Sequence, residues 1–490
     1  MTGDPGIRAL AAGEQMHEMS RGPMHRRARR TRRSSVPLVL GLAAALVLGA
    51  CGGSDGGGSS APSTIPQPTR AEMVAAGLDK LPLAPQRRRL DIVAPTFSDP
   101  TRITNPLFPI GRLRSAIFSG RVDGKPFHTE TTLLPETRIL EWSPGQRVEA
   151  RVSQYFAYLD GRIEEVALDY YAQADDGSVW YLGEDVYDYD RRGLVDSTLG
   201  SWLAGREGPP EMIMPADPKV GDVHRAENIP AIAFEEIEIK TTGKTLDGPT
   251  GPVKGAMVAR ELHDDGTYSD KVFAPGYGEF YSAHDGDTEA MALAVPTDAL
   301  EGPPPAALQD LSRAADQMID AARSGSWTSA SRSSRAASSA WDSYRREQVP
   351  PRLATEMRIA LRSASAAVAR RDSALAGGAA IDVAQSALDL ELRHRPAAEV
   401  DLDRFKLWAD QVLVDAAAGN VGAVRGDVAT LEWIRDRFAS TVGRADLTAI
   451  DAHLVALRET VANENEDVAG AAVEGRALRR PLELRPVAQG

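Results

Sequence analysis

The hydrophobic pattern of the chain changes once, near a run of prolines. Before that run, between residues 95 and 298, short stretches of alternating, branched and aromatic side chains are separated by turn signals such as Asp123-Gly124 and Asp265-Gly266. Such stretches are typical of antiparallel strands. We therefore expect residues 95–298 to form an antiparallel curved β-sheet or a barrel-like domain.

After a Pro-rich hinge at 299–305, apolar residues recur at helical spacing up to residue 475. Breaks at small residues or proline predict seven helices, near 306–323, 327–346, 352–371, 375–394, 399–418, 421–440 and 445–470. Their starts suggest a loose repeat of about 47 residues, which favours antiparallel helical hairpins in a bundle or short solenoid. The expected fold class is α+β, with the β domain followed by an all-α helical bundle (306–475) and a tail (476–490).

The clearest predicted hairpin lies at residues 164–185, where the runs EEVALDYYAQ and SVWYLGED flank an Asp-Asp-Gly turn. Its aromatic residues occupy both faces, so one face lines the core and the other could hold a sugar ring or an apolar ligand. The alternative is that curvature of the sheet and loops cover both faces. The candidate ligand-binding residues are Tyr171, Trp180, Tyr181 and Glu184.

The first fifty residues have the pattern of an export signal. The basic segment Arg26–Arg33 precedes an apolar run, Val36–Ala50, that is shorter than a bilayer span. The run ends at Cys51, the only cysteine in the chain. The three residues before it resemble the bacterial lipobox: Leu48, Gly49 and Ala50. In lipobox proteins the cysteine becomes a diacylglyceryl cysteine and, after cleavage of the leader, the new N-terminus.

This resemblance predicts an exported lipoprotein, held on the extracytoplasmic side of the cell membrane through Cys51. The alternative is a chance cysteine at the end of an uncleaved anchor. Met24 directly precedes the basic segment and is the expected start of a signal peptide within residues 1–51. Gly, Ser and Pro then predominate, so we expect residues 52–94 to form a flexible tether and connector.

Charge and cysteine content exclude several classes of function. The net charge is −13, and because residues 1–51 carry +5, the remainder carries −18. An acidic body of this kind is not expected to bind nucleic acid, which requires cationic side chains for the phosphates. One cysteine also excludes an intramolecular disulfide framework or a CxxC metal site.

Potential metal ligands occur at three places in the sequence. Three aspartates at 185, 188 and 190 could bind calcium, but two arginines follow them directly. The sets His263-Asp264-Asp265 and His284-Asp285-Gly286-Asp287 offer mixed ligands, yet both lie in turns that favour Asp and Gly for backbone reasons. No GxSxG elbow or complete phosphate-binding loop is present. We therefore expect no metal, no other cofactor and no identifiable catalytic residue.

Several motifs of the β region occur in a recognisable order. They are Asn105-Pro106-Leu107-Phe108-Pro109-Ile110-Gly111, Asp169-Tyr170-Tyr171-Ala172-Gln173, Val179-Trp180-Tyr181-Leu182-Gly183-Glu184 and Ala274-Pro275-Gly276-Tyr277-Gly278. Together, over roughly residues 100–285, they resemble a widespread domain of bacterial exported proteins and lipoproteins of the actinobacterial type. Tyr170 stands where that pattern usually has tryptophan. The resemblance brings no catalytic residue with it.

The expected function is that of a membrane-anchored cell-envelope lipoprotein, non-catalytic, that binds a small ligand or an envelope partner. Two alternatives remain open. One is a carboxylate- or metal-dependent envelope hydrolase, and the other is a structural adaptor that docks a partner through its helical bundle.

Overall fold

The structure is a computed structural model that describes residues 63–284, 286–462 and 466–479. The expected α+β class is confirmed: an antiparallel sheet of fourteen strands is followed by a helical region. The strands are β1 Ser115–Val122, β2 Lys125–Ser143, β3 Gln146–Leu159, β4 Arg162–Gln173, β5 Val179–Tyr189, β6 Val195–Ser197, β7 Trp202–Leu203, β8 Glu211–Met214, β9 Val223–Ile229, β10 Ala233–Asp247, β11 Pro252–His263, β12 Tyr268–Ala274, β13 Gly278–His284 and β14 Asp287–Val295.

The sheet consists of two meanders that meet in its centre. One contains β1 to β6 and the other β9 to β14, and they join where β1 pairs with β14. Strands β6, β7 and β8 pair with successive stretches of one edge of β5. Because β8 also contacts β9, the two ends of the sheet approach each other, and the sheet curves around an apolar core without forming a closed barrel.

Residues 63–94 differ from the expected flexible connector, because the structure packs them against the sheet. Ile65 is 2 % exposed, and its amide donates to the carbonyl of Ile92. The buried pair Arg89 and Asp91 lies beside the outer strand β9, where the Leu90 amide donates to the carbonyl of Val223. An apolar side chain and a buried ion pair thus attach a segment whose Pro content and basic residues suggested a solvated connector. This segment also covers backbone groups at the edge of the sheet.

The helices lie close to their predicted positions. They are α1 Arg70–Ala75, α2 Ala306–Arg323, α3 Trp327–Tyr344, α4 Pro351–Arg370, α5 Ser373–Glu391, α6 Ala397–Ala417, α7 Val421–Phe438, α8 Arg444–Val461 and α9 Val468–Leu478. The predicted last helix, 445–470, is wrong in extent, because α8 ends at Val461. A new helix begins after Asp467, whose side chain accepts from the Gly470 amide and caps α9.

The helical region is built from two units of four helices. Helices α2 to α5 share one apolar core, to which one side of α6 also contributes, and α6 to α9 share another. Their hairpins begin at Ala306, Pro351, Ala397 and Arg444, at spacings of 45, 46 and 47 residues, in agreement with the expected repeat. The first helix of each unit carries the same tripeptide, Ala-Asp-Gln, at 315–317 and 409–411. The bundle thus consists of two successive four-helix units. Within the described residues, no helix combines the length and hydropathy needed to cross a bilayer.

Charged side chains are enclosed where the outer face of the sheet meets the helices. Glu130 of β2 pairs with Arg437 of α7 and lies 3.6 Å from Arg404 of α6. Arg404 donates to Asp389 at 2.6 Å and to Asp401 at 3.0 Å. All five side chains are at most 4 % exposed. We call these five residues the interface ion cluster.

The interface ion cluster and its neighbour His128 together contain three acidic and three basic side chains. Burial acts to raise the pKa of Glu130, but Arg404 and Arg437 outweigh it and hold that pKa well below its usual value. Nε2 of His128 is 3.5 Å from Glu130 Oε1. Burial acts to lower the pKa of His128, but its contact with Glu130 and the nearby carboxylates raise it to about 9.

A second contact between sheet and helices is partly aromatic. Arg162 of β4 binds Asp415 of α6 in a bidentate manner, at 2.6 and 3.0 Å. Tyr158 stacks on Trp408 with ring centroids 5.5 Å apart, and the indole of Trp433 donates to the Tyr189 hydroxyl at 2.8 Å. These contacts fix the second helical unit on the outer face of the sheet. The inner face takes no part in them.

We predict that Arg437→Ala lowers the free energy of unfolding by about 3–5 kcal/mol, because it leaves Glu130 buried without its main partner. Urea unfolding at pH 7 measures the change. The matched control is Arg313→Ala, which removes an exposed ion pair with Asp310 and should cost less than about 1 kcal/mol. Equal losses in the two variants would show that the cluster does not hold the two parts together.

Candidate functional site

The inner face of the sheet gathers polar and aromatic side chains at one place. The strand register brings them together: Ser153 lies opposite Asp169, Thr131 opposite Tyr155, and the β4 and β5 tyrosines Tyr171 and Tyr181 lie opposite each other. Successive residues of a strand point to opposite faces, so residues two apart on β3 and β4 share this face. Such a site cannot be recognised before the register is known.

An inner cavity of about 280 Å³ lies against this face. Five aromatic rings line it, together with three carboxylates, one ammonium group and several smaller or apolar residues. The aromatic residues are Phe108, Phe118, Tyr155, Tyr171 and Tyr277, and the charged ones are Asp169, Lys271, Glu279 and Glu289. Apolar surface and charge therefore line the same cavity.

Two of the sequence motifs on which the family resemblance rests build one wall of the inner cavity. The loop that contains Phe108 is anchored by Asn105, which is 4 % exposed and donates through its side-chain amide to the carbonyls of Gly177 and Pro215. The other motif supplies Tyr277, and its Gly276 amide donates to the carbonyl of Pro106 at 2.8 Å. Gly276 has φ of 83°, a conformation that favours glycine. The two motifs thus hold Phe108 and Tyr277 at the cavity.

Neighbouring side chains orient the charged groups of the inner cavity. The Tyr181 hydroxyl donates to Asp169 at 2.7 Å, and the Thr129 hydroxyl donates to Glu289 at 2.5 Å. Lys271 donates to Glu279 at 3.2 Å. Lys271 is thus already paired, and the net charge of the lining is negative when the carboxyl groups are ionised.

The protonation states follow from burial and from this excess of acid. Burial raises the pKa of Glu289 to about 7, with a further contribution from Glu279. Burial also raises the pKa of Tyr171 and of Tyr181 well above the usual value, and the Asp169 carboxylate adds to this effect. Both phenols therefore stay protonated, while Glu289 titrates near neutral pH.

A larger outer cavity of about 820 Å³ adjoins the inner one at Tyr155 and Glu289, which line both. It lies where three turns of the sheet meet the start of α7. Its lining contains three basic residues, Lys125, Arg162 and Arg191, against eight acidic ones. The acidic residues are Asp123, Asp160, Glu164, Glu165, Asp188, Asp196, Asp287 and Glu289. A cleft of one charge sign focuses the electrostatic potential and attracts ions of the opposite sign.

The four residues proposed from sequence for ligand binding occupy different places. Tyr171 lines the inner cavity. Tyr181 stacks on Tyr171 with ring centroids 4.9 Å apart, and its hydroxyl donates to Asp169. It therefore lies behind Tyr171 and does not line the cavity itself. Glu184, 5 % exposed, lies opposite Asp169 on the next strand. Trp180, 2 % exposed, donates its indole N–H to Ser178 and does not line the cavity.

Other candidates from the sequence are dispersed or lie outside the described residues. Asp185 accepts from Tyr170 and Arg138, while Asp190 accepts from Arg192 and from its own loop. Asp265 accepts from Thr267 within its turn. Asp285, Cys51 and the lipobox residues Leu48, Gly49 and Ala50 lie outside the described residues.

Sequence reasoning missed most of the cavity lining. Asp169 lies within the motif that gave Tyr171, and Phe108 and Tyr277 lie within two other motifs of the resemblance. The joint occurrence of these motifs was the signal in the sequence that could have identified these three residues. Lys271, Glu279 and Glu289 carry no such signal, since each is one polar residue on a different strand.

The helical bundle offers little apolar surface for a partner in its described part. Its exposed large apolar residues lie one on each of four helices. They are Ile359, Leu375, Val455 and Val473. Single exposed apolar side chains are common on protein surfaces and do not indicate an interface.

Compared with known proteins, the chain matches no family model, and no curated protein matches it. Its function is therefore argued from the geometry of the inner and outer cavities.

We predict that Glu289→Gln removes part of the pH dependence of stability. The pKa of Glu289 is raised from 4.5 in the unfolded chain to about 7, so the folded state binds the extra proton and wild-type stability falls as pH rises from 4.5 through 7. Relative to wild type, the variant should gain up to about 3 kcal/mol between pH 4.5 and pH 8. Urea unfolding at both pH values measures this.

The control for this prediction is Glu136→Gln, an exposed carboxylate on β2, which should give a constant difference from wild type. A Glu289→Gln variant whose difference from wild type is also constant would contradict the raised pKa.

Proposed function

We propose that this chain is a lipid-anchored protein of the cell envelope that binds a small organic cation in its inner cavity. The observation that carries the proposal is that aromatic rings and carboxylates line the same cavity. Cations bind favourably over aromatic faces, and carboxylates supply charge-assisted hydrogen bonds to an ammonium group.

The distribution of charge supports a cation over an anion or a neutral sugar. Lys271, the one cation of the inner lining, is engaged by Glu279 at 3.2 Å and by Glu261 at 3.6 Å. The lining also contains Asp169 and Glu289, so its carboxyl groups outnumber its ammonium group by three to one. The acidic outer cavity would raise the local concentration of a cationic ligand in front of them.

Size supports a small ligand with an apolar part. The inner cavity of about 280 Å³ is near the lower limit of usual ligand pockets. Phe108 and Tyr171 meet edge to face at 4.9 Å and give it an apolar wall. An amine with a short aromatic or aliphatic tail would place its tail there and its charge near Asp169 and Glu289.

We predict that the protein binds 4-phenylbutylamine at least tenfold more tightly than 4-phenylbutanoate, which has the same apolar body and the opposite charge. Calorimetry at pH 8, where Glu289 is mostly ionised, measures both. Asp169→Asn should weaken binding of the amine by tenfold or more, because it removes a charged hydrogen-bond partner worth about 1.5–3 kcal/mol. Glu136→Gln, on the same sheet but outside the cavity, is the matched control.

Lower pH provides an internal check on this binding. Because Glu289 is protonated below pH 7, affinity for the amine should fall as pH is lowered from 8 to 6, and Glu289→Gln should remove that dependence. Equal affinity for the amine and the carboxylate, or an amine affinity unchanged by Asp169→Asn, would refute a cation site in the inner cavity.

The anchoring half of the proposal rests on Cys51 and the residues before it. We predict that Cys51→Ser releases the exported protein from the membrane fraction, because serine cannot accept the diacylglyceryl group through a thiolate. Fractionation of a bacterial host that processes lipoproteins measures this, and Ser54→Ala is the control. Retention of Cys51→Ser in the membrane fraction would contradict the lipid anchor.

A further inference from the structure

A second group of potential ligands lies on the inner face of the sheet, on the second meander. Glu235 is on β10, and Glu261 and His263 are on β11. Each offers one ligand atom, and these atoms all lie within 4.8 Å of one another. The register explains the grouping: His263 lies directly opposite Glu235, and Glu261 is two residues away on the same face.

This part of the sheet encloses more acid than base. Glu261 is 2 % exposed and His263 is 5 % exposed. Glu227 lies directly opposite Glu235 on β9, and like charges placed opposite each other destabilise a sheet. Lys271 lies 3.6 Å from Glu261, and it is shared with Glu279. The carboxyl groups of Glu227, Glu235, Glu261 and Glu279 thus lie around the one ammonium group of Lys271 in this part of the sheet.

A similar group of side chains lies at the interface ion cluster. There His128, Glu130 and Asp389 are gathered in the same way. However, the guanidinium groups of Arg404 and Arg437 already form ion pairs with the two carboxyl groups, Glu130 and Asp389. Glu261, by contrast, forms its ion pairs with His263 and Lys271, and both of these bases are shared with other acidic groups or can serve as a metal ligand.

We propose that a divalent transition-metal ion of the Zn²⁺ class binds between Glu235, Glu261 and His263. One imidazole and two carboxylates form a set that suits zinc, whereas magnesium and calcium prefer oxygen ligands alone. At metal–ligand distances of about 2.0–2.2 Å, the three side chains must move closer together than they stand here. The Ser269 hydroxyl, which donates to Glu261 at 2.9 Å and lies 3.0 Å from His263 Nε2, orients two of the ligands.

The test is a titration of the full chain with Zn²⁺ and, separately, with Co²⁺. The chain carries Cys51→Ser so that no thiol competes for the metal. Calorimetry should give one ion per chain, and Co²⁺ should give the intense visible absorption of a four-coordinate site. Glu261→Gln and His263→Gln should each weaken binding by tenfold or more. Asp264→Asn, in the adjacent turn, is the matched control and should bind as wild type does.

The third ligand has its own variant. Glu235→Gln should weaken binding of Zn²⁺ by tenfold or more, because it removes one of the three ligands. This near-isosteric variant is expected to fold, since glutamine keeps the size and shape of the side chain.

Two outcomes would overturn the proposal. One is the absence of Zn²⁺ binding, and the other is binding that all three ligand variants leave unchanged, which would place the ion in the acidic outer cavity. The result is separate from the cation site of the inner cavity, because Asp169→Asn should impair binding of 4-phenylbutylamine and leave binding of Zn²⁺ intact.

Discussion

Charge enclosed between the sheet and the helices constrains how the two parts of this protein can be assembled. The carboxylate of Glu130 lies on the outer face of the sheet, and its cationic partners, Arg404 and Arg437, come from two helices of the second unit. Apolar contacts tolerate sliding, whereas an unpaired buried ion costs several kcal/mol. A helix displaced by one turn would lose these pairs, so the ion cluster selects one orientation. The outer face of the sheet is thereby occupied by helices, and the inner cavity lies against the opposite face.

The inner face has the opposite electrostatic character, because its carboxylates exceed its bases. Three features make that excess tolerable in the folded chain. Lys271 is shared between Glu261 and Glu279, phenols such as Tyr181 donate to carboxylates, and a pKa raised to about 7 keeps Glu289 partly protonated at neutral pH. An organic cation in the inner cavity and a metal ion at Glu235, Glu261 and His263 are two further ways to balance the same charge. Both proposals therefore depend on the excess of carboxyl groups over bases on the inner face of the sheet.

The bundle could be predicted from sequence in detail, and the site could not. Helix signals are local: the turns at Ser324-Gly325 and Gly419-Asn420 and the prolines near 350 and 396 mark where helices begin and end. The sequence signals of a single strand or hairpin are local as well, and the predicted 164–185 hairpin corresponds to β4 and β5. The cavity instead depends on the register of many strands, which decides that Asp169 faces Ser153 and that Lys271 lies near Glu279. No local pattern carries that information.

The same limit explains the error at residues 63–94. Composition predicted a solvated connector, but burial of Ile65 and the Arg89–Asp91 pair depends on strand β9, more than a hundred residues away in the chain. Long-range partners decide whether such a segment packs.

The packing of residues 63–94 also limits how far the folded part of the chain can lie from Cys51. Since the described structure begins at residue 63, only about a dozen residues separate it from Cys51, and a chain of that length spans at most about 40 Å when fully extended. A lipid on Cys51 would hold the folded body within roughly one protein diameter of the bilayer. The acidic outer cavity would then work in the layer next to the headgroups, where cations are enriched if the lipids are anionic.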